Sequence, residues 1–538
     1  MSAPELVGVA VVPGVGAGLA RGDDTWVVEG PLPALPGRLV WWRAATAAPA
    51  LVRAGLRPRA VWDLGAVHRL LHGSRRDDPT AVWAGGQPEP EPPDLTPTLL
   101  EPAGDPEPVR ADGALSPAWA REQWEGAADL ERAARWAALA LRIQQRQAAA
   151  LAALPDPRVA PQQPPLALLT AYAESAAALL AVELEHDGLP LDRAAAEAEL
   201  LSIIGPRPAD EQRARAERDD LVLRHVERRV DLRNPAQVRE LLAGLGIDVP
   251  DTRSWRLEPH RDTSPAVAAL LDWRKAERVA TTYGYGWLDR HVGTDDRLRG
   301  SWGAADAAAG RMTASAGLHN LPADLRAAVA AQPGHVLVRA DLGQVEPRVL
   351  AVVSGDAALA GAAREPDMYS PVAAQLGCDR PTAKVAVLAA MYGGTSGSAA
   401  AALQRMERTY PDALAYLRAA EQVGRDGGEL RTWGGRLLRL PGGGSGRFAR
   451  NAVVQGAAAE LFKVWAVTVR SALAPLEGQV VLCLHDELLL QVPLAQAQPA
   501  VDLLRDALAE ASGRWAAGSG VRFAVDVSVV QRWSDAKG

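Results

Sequence analysis

Residues 336–348 read VLVRADLGQVEPR, and residues 480–492 read VVLCLHDELLLQV. In each stretch a short apolar run, typical of a buried β-strand, is followed closely by an aspartate, Asp341 or Asp486. Two carboxylates placed in this way can meet at the edge of one sheet. Carboxylate oxygens are hard ligands that suit Mg²⁺. The pair therefore predicts a divalent-metal site, although a lone aspartate after a strand is usually only a turn residue.

A third stretch, residues 380–393, reads RPTAKVAVLAAMYG. Four of its side chains recur every four residues and so share one slowly drifting helix face: Arg380, Lys384, Leu388 and Tyr392. Asp379 and Pro381 are typical of a helix start. A triphosphate at that end would meet cations and free amide groups. The alternative, a solvated basic helix, does not explain the aromatic residue and glycines that end the stretch.

Length and composition bound the class of protein. The chain has 538 residues, of which 48% are hydrophobic, so we expect three or four structural units. It shows neither a long charge-free apolar run nor a basic segment followed by an apolar one near its start, so we expect no membrane span and a cytoplasmic protein. Cys378 and Cys483 lie too far apart in sequence for a zinc motif, and we expect both to be buried.

The net charge of −7 argues mildly against a nucleic-acid binder. The charge is uneven, however: residues 87–111 are acidic and rich in proline, whereas residues 213–233 and 431–450 are basic. A local basic groove is enough to follow a phosphate backbone. Lysine occurs at only four positions, and Lys384 is one of them, which favours a role that needs a compact ammonium group.

In order and spacing, the three stretches resemble the palm and fingers motifs of family A DNA polymerases, the bacterial polymerase I type. The resemblance implies a multidomain α/β and α+β chain. It would contain an RNase H-like domain of the 3′→5′ exonuclease type, then a right-hand polymerase with an antiparallel palm sheet, a helical thumb and helical fingers. The expected boundaries are 1–155 for the exonuclease-like domain with an acidic, proline-rich insert at 85–117, 160–190 for the segment leading into the palm, 190–297 for the thumb, 298–360 for the palm, 361–445 for the fingers and 446–538 for the palm again.

The resemblance also implies roles for individual residues. Asp341 and Asp486 would hold two Mg²⁺ ions for phosphoryl transfer, with Glu487 beside them and Lys384 on the α- and β-phosphates. Glu346 would exclude a ribose 2′-hydroxyl, which makes a dNTP the expected substrate. The expected nucleotide-binding residues are Arg380, Lys384, Leu388, Tyr392, Glu346, Gln344 and Tyr369.

Further segments resemble the family's DNA-contacting motifs. Residues 310–315 and 319–322 match the part that lies against the primer-template minor groove. Residues 447, 451 and 455 have helical spacing and match a helix that contacts the newest base pair, although such a polar stripe can also be a solvated face. Arg348 would anchor the active-site carboxylates. The expected DNA-binding residues are Arg311, Asn320, Arg436, Arg447, Asn451, Gln455, His485 and Arg348.

The chain departs from the family pattern at several places. Leu342 and Gly343 replace a typical Tyr-Ser pair, Leu388 replaces an aromatic residue, and Tyr369 replaces a histidine that contacts phosphate. The segment between residues 377 and 380 is short, so we expect shortened fingers. These changes could lower dNTP affinity, but they leave the metal carboxylates in place.

The N-terminal region lacks the carboxylates that exonuclease chemistry needs. We expect no Asp-x-Glu before residue 150, and the helix around Trp136 has Trp and Ala where a Tyr and an Asp would be expected. Asp63 is interpreted as a helix cap. We therefore expect an inactive exonuclease-like domain.

The leading hypothesis is a monomeric DNA polymerase acting on primer-template DNA in the nucleoid, without membrane contact. Two alternatives remain open from the sequence. One is a polymerase that also proofreads through cryptic ligands in the first domain. The other is a noncatalytic primer-template binding protein, which the departures at Leu342, Leu388 and Tyr369 favour.

Overall fold

The computed structural model describes residues 5–85, 106–124, 126–306, 308–393, 399–440 and 444–536. Most of the proline-rich insert predicted at 85–117, together with Gly394, lies outside these residues. The chain divides into two compact units. The first contains Met1–Gly188, Ser301–Ala314 and Pro333–Val530, and the second contains Leu189–Gly300, Ser315–Gln332 and Gln531–Gly538.

The described residues form strands and helices in both alternating and uninterrupted runs, with the helices between residues 193 and 291 and those between residues 345 and 426 following one another without a strand between them. The strands are β1 (Leu6–Val12), β2 (Gly16–Arg21), β3 (Asp24–Glu29), β4 (Arg38–Trp41), β5 (Val61–Asp63), β6 (Leu189–Pro190), β7 (Arg297–Leu298), β8 (Trp302–Gly303), β9 (Thr313–Ala314), β10 (His335–Leu342), β11 (Leu430–Arg431), β12 (Leu437–Leu438), β13 (Gln479–Cys483), β14 (Glu487–Pro493) and β15 (Val525–Val530). The helices are α1 (Ala44–Arg53), α2 (Leu64–His72), α3 (Pro79–Ala84), α4 (Pro117–Ala120), α5 (Leu130–Ala152), α6 (Leu166–Asp187), α7 (Arg193–Ile204), α8 (Glu211–Leu223), α9 (Pro235–Gly244), α10 (Ser254–Leu257), α11 (Pro265–Tyr283), α12 (Tyr285–His291), α13 (Ala323–Arg326), α14 (Val345–Ser354), α15 (Ala357–Ala362), α16 (Tyr369–Leu376), α17 (Arg380–Tyr392), α18 (Ala399–Thr409), α19 (Pro411–Asp426), α20 (Gly446–Leu473) and α21 (Ala497–Trp515).

The first unit begins with a five-stranded sheet in the order β3-β2-β1-β4-β5. Strands β1, β2 and β3 form an antiparallel meander, and β4 and β5 join β1 in parallel. After its first residue β1 is buried throughout, as expected for a strand covered on both faces.

Helix α5 lies very close to this sheet. A Cβ atom on Gly8 would lie 2.3 Å from the Ala137 carbonyl oxygen, and one on Gly18 would lie 2.0 Å from the Ala134 nitrogen. Only glycine permits this approach of helix to strand. The rings of Trp42 and Trp136 stack beside it with their centres 4.1 Å apart. Trp136, which stands where the resemblance would place a tyrosine, is therefore a core residue.

Asp63 at the end of β5 is buried, with 3% of its surface exposed. Its carboxylate accepts hydrogen bonds from the Trp41 indole, the Ala44 nitrogen and the Ala66 nitrogen, and it caps α2. Burial raises the pKa of Asp63 to about 7, and these hydrogen bonds oppose that rise. The prediction of a helix cap is confirmed.

The strands of the N-terminal sheet keep the pattern of acids expected from the sequence. Strand β1 has no acidic residue, and β2 has none. The expectation that no Asp-x-Glu occurs before residue 150 is wrong, because two such triplets stand at 105–107 and 129–131. The second begins α5 rather than lying on a strand, and the first starts outside the described residues.

The second sheet of the first unit is antiparallel, in the order β13-β14-β10-β15. It confirms both strands predicted beside Asp341 and Asp486. In the register of β10, Asp341 lies opposite Glu487 on β14 and opposite Asp526 on β15. Residues that face each other across antiparallel strands lie on the same side of the sheet. Three carboxyl groups therefore stand in one row.

Helices α6 and α20 pass through the core of the first unit. Both are long and apolar enough to cross a membrane, and 72% and 83% of their most apolar windows are buried inside the protein. Burial of this extent is typical of core helices in water-soluble folds. Their length and apolar character, which the sequence analysis did not flag, are therefore explained by packing.

The second unit is mainly helical, and its α8, α9 and α11 pack around a small core that includes Val222, Leu242 and Leu270. The carboxylate of Glu277 joins these elements because it accepts hydrogen bonds from Arg215, Arg218 and Arg233. Asn234 caps α9, as predicted. This unit includes the whole segment predicted as the thumb, 190–297, and it also takes up residues 315–332 and 531–538, which were predicted as palm.

The two cysteines differ in burial. Cys483 is fully buried on β13, as expected, whereas Cys378 is only partly buried. Both are free thiols.

Candidate active site

A cavity of about 370 Å³ opens within the first unit beside the turn between β13 and β14. It lies between the N-terminal turn of α14, one face of α17 and the middle of α20. Nine of the residues singled out from the sequence line it: Arg311, Gln344, Glu346, Tyr369, Lys384, Leu388, Tyr392, His485 and Asp486. The structure thus brings together segments that are separated by more than 170 residues in the chain.

The two predicted metal ligands are close neighbours. Asp341 ends β10, and the backbone nitrogen of the next residue, Leu342, donates to the Asp486 carbonyl oxygen at 2.8 Å. Burial and the nearby Asp486 carboxylate raise the pKa of Asp341 to about 6. Burial and the Glu487 and Glu346 carboxylates also raise the pKa of Asp486. Mutual repulsion of this kind is expected where two acids are positioned to share a cation.

Arg339 lies among these acids. It stands two residues before Asp341 on β10, so both side chains lie on the same face of the sheet. Its guanidinium contacts the Asp341 carboxylate at 2.8 Å and the Glu487 carboxylate at 2.7 Å. Burial alone would lower the pKa of Arg339, but the carboxylates of Glu487, Asp341 and Asp526 hold it above its ordinary value.

Glu346 in the first turn of α14 is the polar centre of the cavity. It accepts hydrogen bonds from the Arg311 guanidinium and from the Tyr392 hydroxyl. Burial and this carboxylate raise the pKa of Tyr392 to about 12, so the phenol stays a hydrogen-bond donor at neutral pH. Burial and the cation of Arg311 lower the pKa of His485. The Glu346 carboxylate is thus fixed between the Arg311 cation and the Tyr392 hydroxyl on one side of the cavity.

Helix α17 forms as the sequence predicts, and Asp379 caps it by accepting from the Thr382 nitrogen at 2.8 Å. Lys384 and Leu388 face the cavity. Arg380 does not line it; its guanidinium is held by the Asp367 carboxylate at 2.8 and 3.0 Å. The predicted cationic face is therefore present, but its first member is engaged by an acid that the sequence analysis did not single out.

Tyr369 and Gln344 are placed by the same loop. Tyr369 is 4% exposed, and the guanidinium of Arg380 lies 5.7 Å from the centre of its ring. Burial raises the pKa of Tyr369 to about 12. Gln344 donates to Asp367 at 2.5 Å and accepts from the Met368 nitrogen at 2.9 Å. Asp367 thus holds two of the predicted nucleotide-binding residues, Gln344 and Arg380.

The polar stripe predicted at residues 447, 451 and 455 lies on α20. Arg447 is exposed and donates to the Tyr392 carbonyl oxygen at 3.1 Å. A hydrogen bond with the Gln455 side chain opposes the rise in the pKa of Tyr392. The Oδ1 atom of Asn451 is buried and has no hydrogen-bond partner among the described residues. The stripe is therefore attached to the cavity wall.

The prediction that Arg436 contacts phosphate is wrong. Its side chain is 5% exposed and pairs with the buried Glu174 carboxylate at 2.7 Å. Lys463 donates to the same carboxylate at 2.8 Å. Burial raises the pKa of the neighbouring Glu460 to about 7. A charge sealed in the core in this way needs its partners for stability, so Arg436 is a structural residue.

The predictions for Arg348 are also wrong. This residue is 1% exposed and donates to four backbone carbonyl oxygens: those of Ala363, Glu365, Pro366 and Arg522. Among the described residues, its hydrogen-bond partners do not include Asp341 or Asp486. Its physical role is to fasten the loop that carries Asp367 and Tyr369 to α14.

Asn320 belongs to the second unit, where it ends a short 3₁₀ turn at 318–320. Its side chain is exposed, and its carbonyl oxygen accepts from the Tyr283 hydroxyl at 2.8 Å.

The residues at the sheet edge suit divalent cations in part. Among the described residues, no group of three or more His, Cys, Asp or Glu side chains is arranged as a complete metal site. Mg²⁺ commonly takes only one or two carboxylates from the protein and completes its shell with water and substrate phosphates. The donor chemistry and the raised pKa values of Asp341 and Asp486 fit that type of site.

Arg339, Asp367 and Asp526 are the members of this region that the sequence analysis missed. Arg339 could have been predicted from the sequence, since a residue two places before a strand-end aspartate lies on the same face of the strand. Asp367 and Asp526 could not, because their positions depend on a loop and on strand pairing.

Comparison with known proteins agrees with this geometry. The family model described as DNA polymerase family A matches residues 211–535. The thermostable DNA polymerase I of Thermus filiformis is 30% identical over 328 residues, which are 53% of this chain and 38% of that protein. The DNA polymerase I of Chloroflexus aurantiacus is 30% identical over 290 residues, which are 47% of this chain and 31% of that protein. The chain thus matches less than half of the length of these relatives.

A solved structure covers more of the chain. It is the POL domain of Pol1 from M. smegmatis, in complex with DNA primer-template and dNTP, and it matches 98% of this chain and 95% of its own with a TM-score of 0.68. The sequence identity is 19%. At this identity the likeness shows a common fold, which includes the N-terminal sheet because nearly the whole chain is covered.

Proposed function

Because the chain belongs to DNA polymerase family A, we propose that it is a template-directed DNA polymerase that adds dNMP from dNTP to the 3′ end of a primer. The observation that carries this proposal is the cavity in which Lys384, Tyr392 and Glu346 face Asp486. Phosphoryl transfer depends on positioned opposite charges more than on covalent chemistry by the protein. This cavity supplies both signs of charge within one wall.

In the proposed mechanism, Lys384 binds the phosphates of the incoming dNTP and neutralises the charge that develops on the leaving pyrophosphate. Glu346, fixed by Arg311 and Tyr392, occupies the space beside the sugar and excludes a 2′-hydroxyl. Tyr369 and Leu388 line the sugar and phosphate side of the cavity. Gln344 lines the cavity. Arg380, which is bound to Asp367, would exchange this contact for the nucleotide phosphates.

Asp341 and Asp486 would hold two Mg²⁺ ions. Divalent cations at these carboxylates would lower the pKa of the primer 3′-hydroxyl and stabilise the charge on the leaving group. Glu487 stands directly opposite Asp341 in the sheet and would orient it. Protonation of either aspartate would weaken its hold on a cation, so their raised pKa values make the site sensitive to acid.

Primer-template DNA would lie along exposed cations and amides around the cavity. Arg447, Asn451 and Gln455 would contact the newest base pair from α20, and Arg311 and His485 the primer end. Asn320, in the second unit, would contact the duplex elsewhere. We further propose that the protein works as a monomer in the cytoplasm, at the nucleoid.

The N-terminal sheet is proposed to be an RNase H-like domain of the exonuclease type without nuclease activity. What supports this is the apolar β1 and the engagement of Asp63 by three donors. A primer with a labelled 3′ mismatch should remain uncut by the full-length protein in Mg²⁺. Excision of the mismatch that persists in Asp341→Asn would contradict this proposal and favour a proofreading enzyme.

Single-nucleotide incorporation with Mg²⁺ tests the main proposal. The wild-type protein should add one matching dNMP, and Lys384→Ala should reduce kcat/KM by roughly 10²- to 10³-fold, since it removes charge stabilisation in the transition state. Arg514→Ala, which alters an exposed ion pair with Glu510 on α21, serves as the control and should behave as wild type. DNA binding without any incorporation would instead identify a noncatalytic primer-template protein.

A further inference from the structure

Three carboxylates stand side by side at the end of the second sheet. Glu487, Asp341 and Asp526 occupy directly opposed positions on β14, β10 and β15. Like charges placed opposite each other on neighbouring strands repel and destabilise the pairing. The row therefore needs a cation whenever no metal ion is bound.

Arg339 provides that cation from within the sheet. It is 8% exposed, and in the register of β10 it lies opposite Leu489 and Ser528, one same-face step away from the acids. From there its Nε atom donates to Glu487 at 2.8 Å and its Nη2 atom donates to Asp341 at 2.8 Å. One guanidinium thus bridges two of the three acids, as only a planar group with several donors can.

We propose that Arg339 is an internal counter-cation that competes with divalent metal ions for Asp341. In the metal-free protein it holds Asp341 and Glu487 in place. When a metal ion binds Asp341, the guanidinium shifts its hydrogen bonds to Glu487, with which it already makes its shortest contact, 2.7 Å. Arg339 is a positioning residue that sets the metal affinity of the edge. This inference rests on the proposed function only in taking Asp341 as a metal ligand.

The chain offers a matched control. Arg470 has a similarly buried side chain, 8% exposed against 9% for Arg339, and pairs with the buried Glu183 at 2.6 Å. Arg470 lies on α20, and its partners among the described residues are Glu183 and the Pro58 carbonyl oxygen rather than the acids of the row. Replacing either arginine with methionine leaves a buried carboxylate short of its partner, so both variants are expected to lose stability.

Only the Arg339 variant is expected to change metal binding. Mn²⁺ binding to the full-length protein, without DNA or dNTP, can be followed by the electron paramagnetic resonance signal of free Mn²⁺. Arg339→Met should bind Mn²⁺ about tenfold more tightly than wild type, since a positive charge a few ångströms from the ion is removed. Mn²⁺ should also raise its melting temperature by more than it raises that of wild type. Arg470→Met should show the wild-type Mn²⁺ affinity and shift.

An affinity of Arg339→Met within about twofold of wild type would overturn the proposal, as would an equal tightening in Arg470→Met. Should Arg339→Met not fold, Arg339→Lys decides. Its ammonium group has too small a reach to bridge both acids, so its Mn²⁺ affinity should rise about threefold, and an unchanged affinity would overturn the proposal. Since no nucleotide is present, failure of primer extension bears on the proposed polymerase function and leaves this result separate.

Discussion

The two main sheets of the first unit differ in what surrounds the acidic residues at their strand ends. In the N-terminal sheet, the buried acid at the end of β5, Asp63, accepts hydrogen bonds from three donors. In the second sheet, Asp341 stands in a row with Glu487 and Asp526, beside Asp486. Three donors surround the Asp63 carboxylate, whereas the acids beside Asp341 outnumber the one guanidinium, that of Arg339, which pairs with Asp341 and Glu487.

The difference shows how a sheet is adapted to packing or to chemistry. Around Asp63 the three hydrogen-bond donors all come from the N-terminal sheet and the helices that follow its strands. Around Asp341 the negative charges of the acids exceed the single positive charge of Arg339, and this excess destabilises the folded protein unless a metal ion binds. Strain of this kind is a common mark of functional sites. The predictions below test this contrast, beginning with the largest effect.

The contrast is sharpest in catalysis. Asp341→Asn should reduce primer extension by at least about 10³-fold, because a neutral amide binds divalent cations poorly, while duplex binding measured by fluorescence anisotropy is retained. Asp63→Asn should extend primers as wild type does. Equal losses in the two variants would show that the sheets do not differ in function.

The contact between β2 and α5 in the N-terminal sheet should not tolerate an added methyl group. Gly18→Ala would place a Cβ 2.0 Å from the Ala134 nitrogen, so α5 must move, at a cost of roughly 3 kcal/mol in the free energy of unfolding. Gly513→Ala on α21 is the control, since its Cβ would meet nothing within 4 Å. Urea unfolding of both variants measures the difference, and equal midpoints would contradict the close approach of α5.

Loss of the Asp63 carboxylate should destabilise the protein without touching its chemistry. Asp63→Ala leaves the Trp41, Ala44 and Ala66 donors without their acceptor, which should cost about 2–4 kcal/mol. Urea unfolding checks the value, and primer extension below the transition should be unchanged. A variant as stable as wild type would mean that water replaces the carboxylate.

Replacing Asp341 should raise the free energy of unfolding, whereas replacing Asp63 should lower it. Its pKa is raised from 3.8 to about 6, so the folded state binds this proton more tightly than the unfolded state does. Ionisation of Asp341 therefore lowers stability as the pH rises from about 4 to about 6, and the loss persists above that range. In the presence of a chelator, Asp341→Asn should match wild type near pH 4 and exceed it by about 1–2 kcal/mol at pH 8. A variant that is less stable than wild type at pH 8 would remove the argument for repulsion.

Much of this fold was predictable from local sequence signals. The apolar runs before Asp341 and Asp486 became β10 and β13, and Asn234, Asp379 and Asp63 cap helices as predicted. These features depend on neighbours within a few residues, which is why the sequence reports them. The spacing by four along α17 likewise placed Lys384 and Leu388 on the face that lines the cavity.

The errors came where charge alone was used to assign a surface role. Arg348 and Arg436 were expected to contact DNA or active-site acids, and both are buried. Nothing in the local sequence distinguishes an exposed arginine from one whose partner, such as Glu174, lies 262 residues away. Long-range pairing decides the difference.

The sequence by itself determined the family, the strands that carry Asp341 and Asp486 to one sheet edge, and the helix α17, because periodicity and spacing are local properties of the chain. Only the tertiary structure decided which charges are sealed in the core, that Asp367 holds Arg380, and that Arg339 bridges Asp341 to Glu487. The physical reason is that electrostatic interactions depend on distance and burial in space, and strand register and helix packing set both.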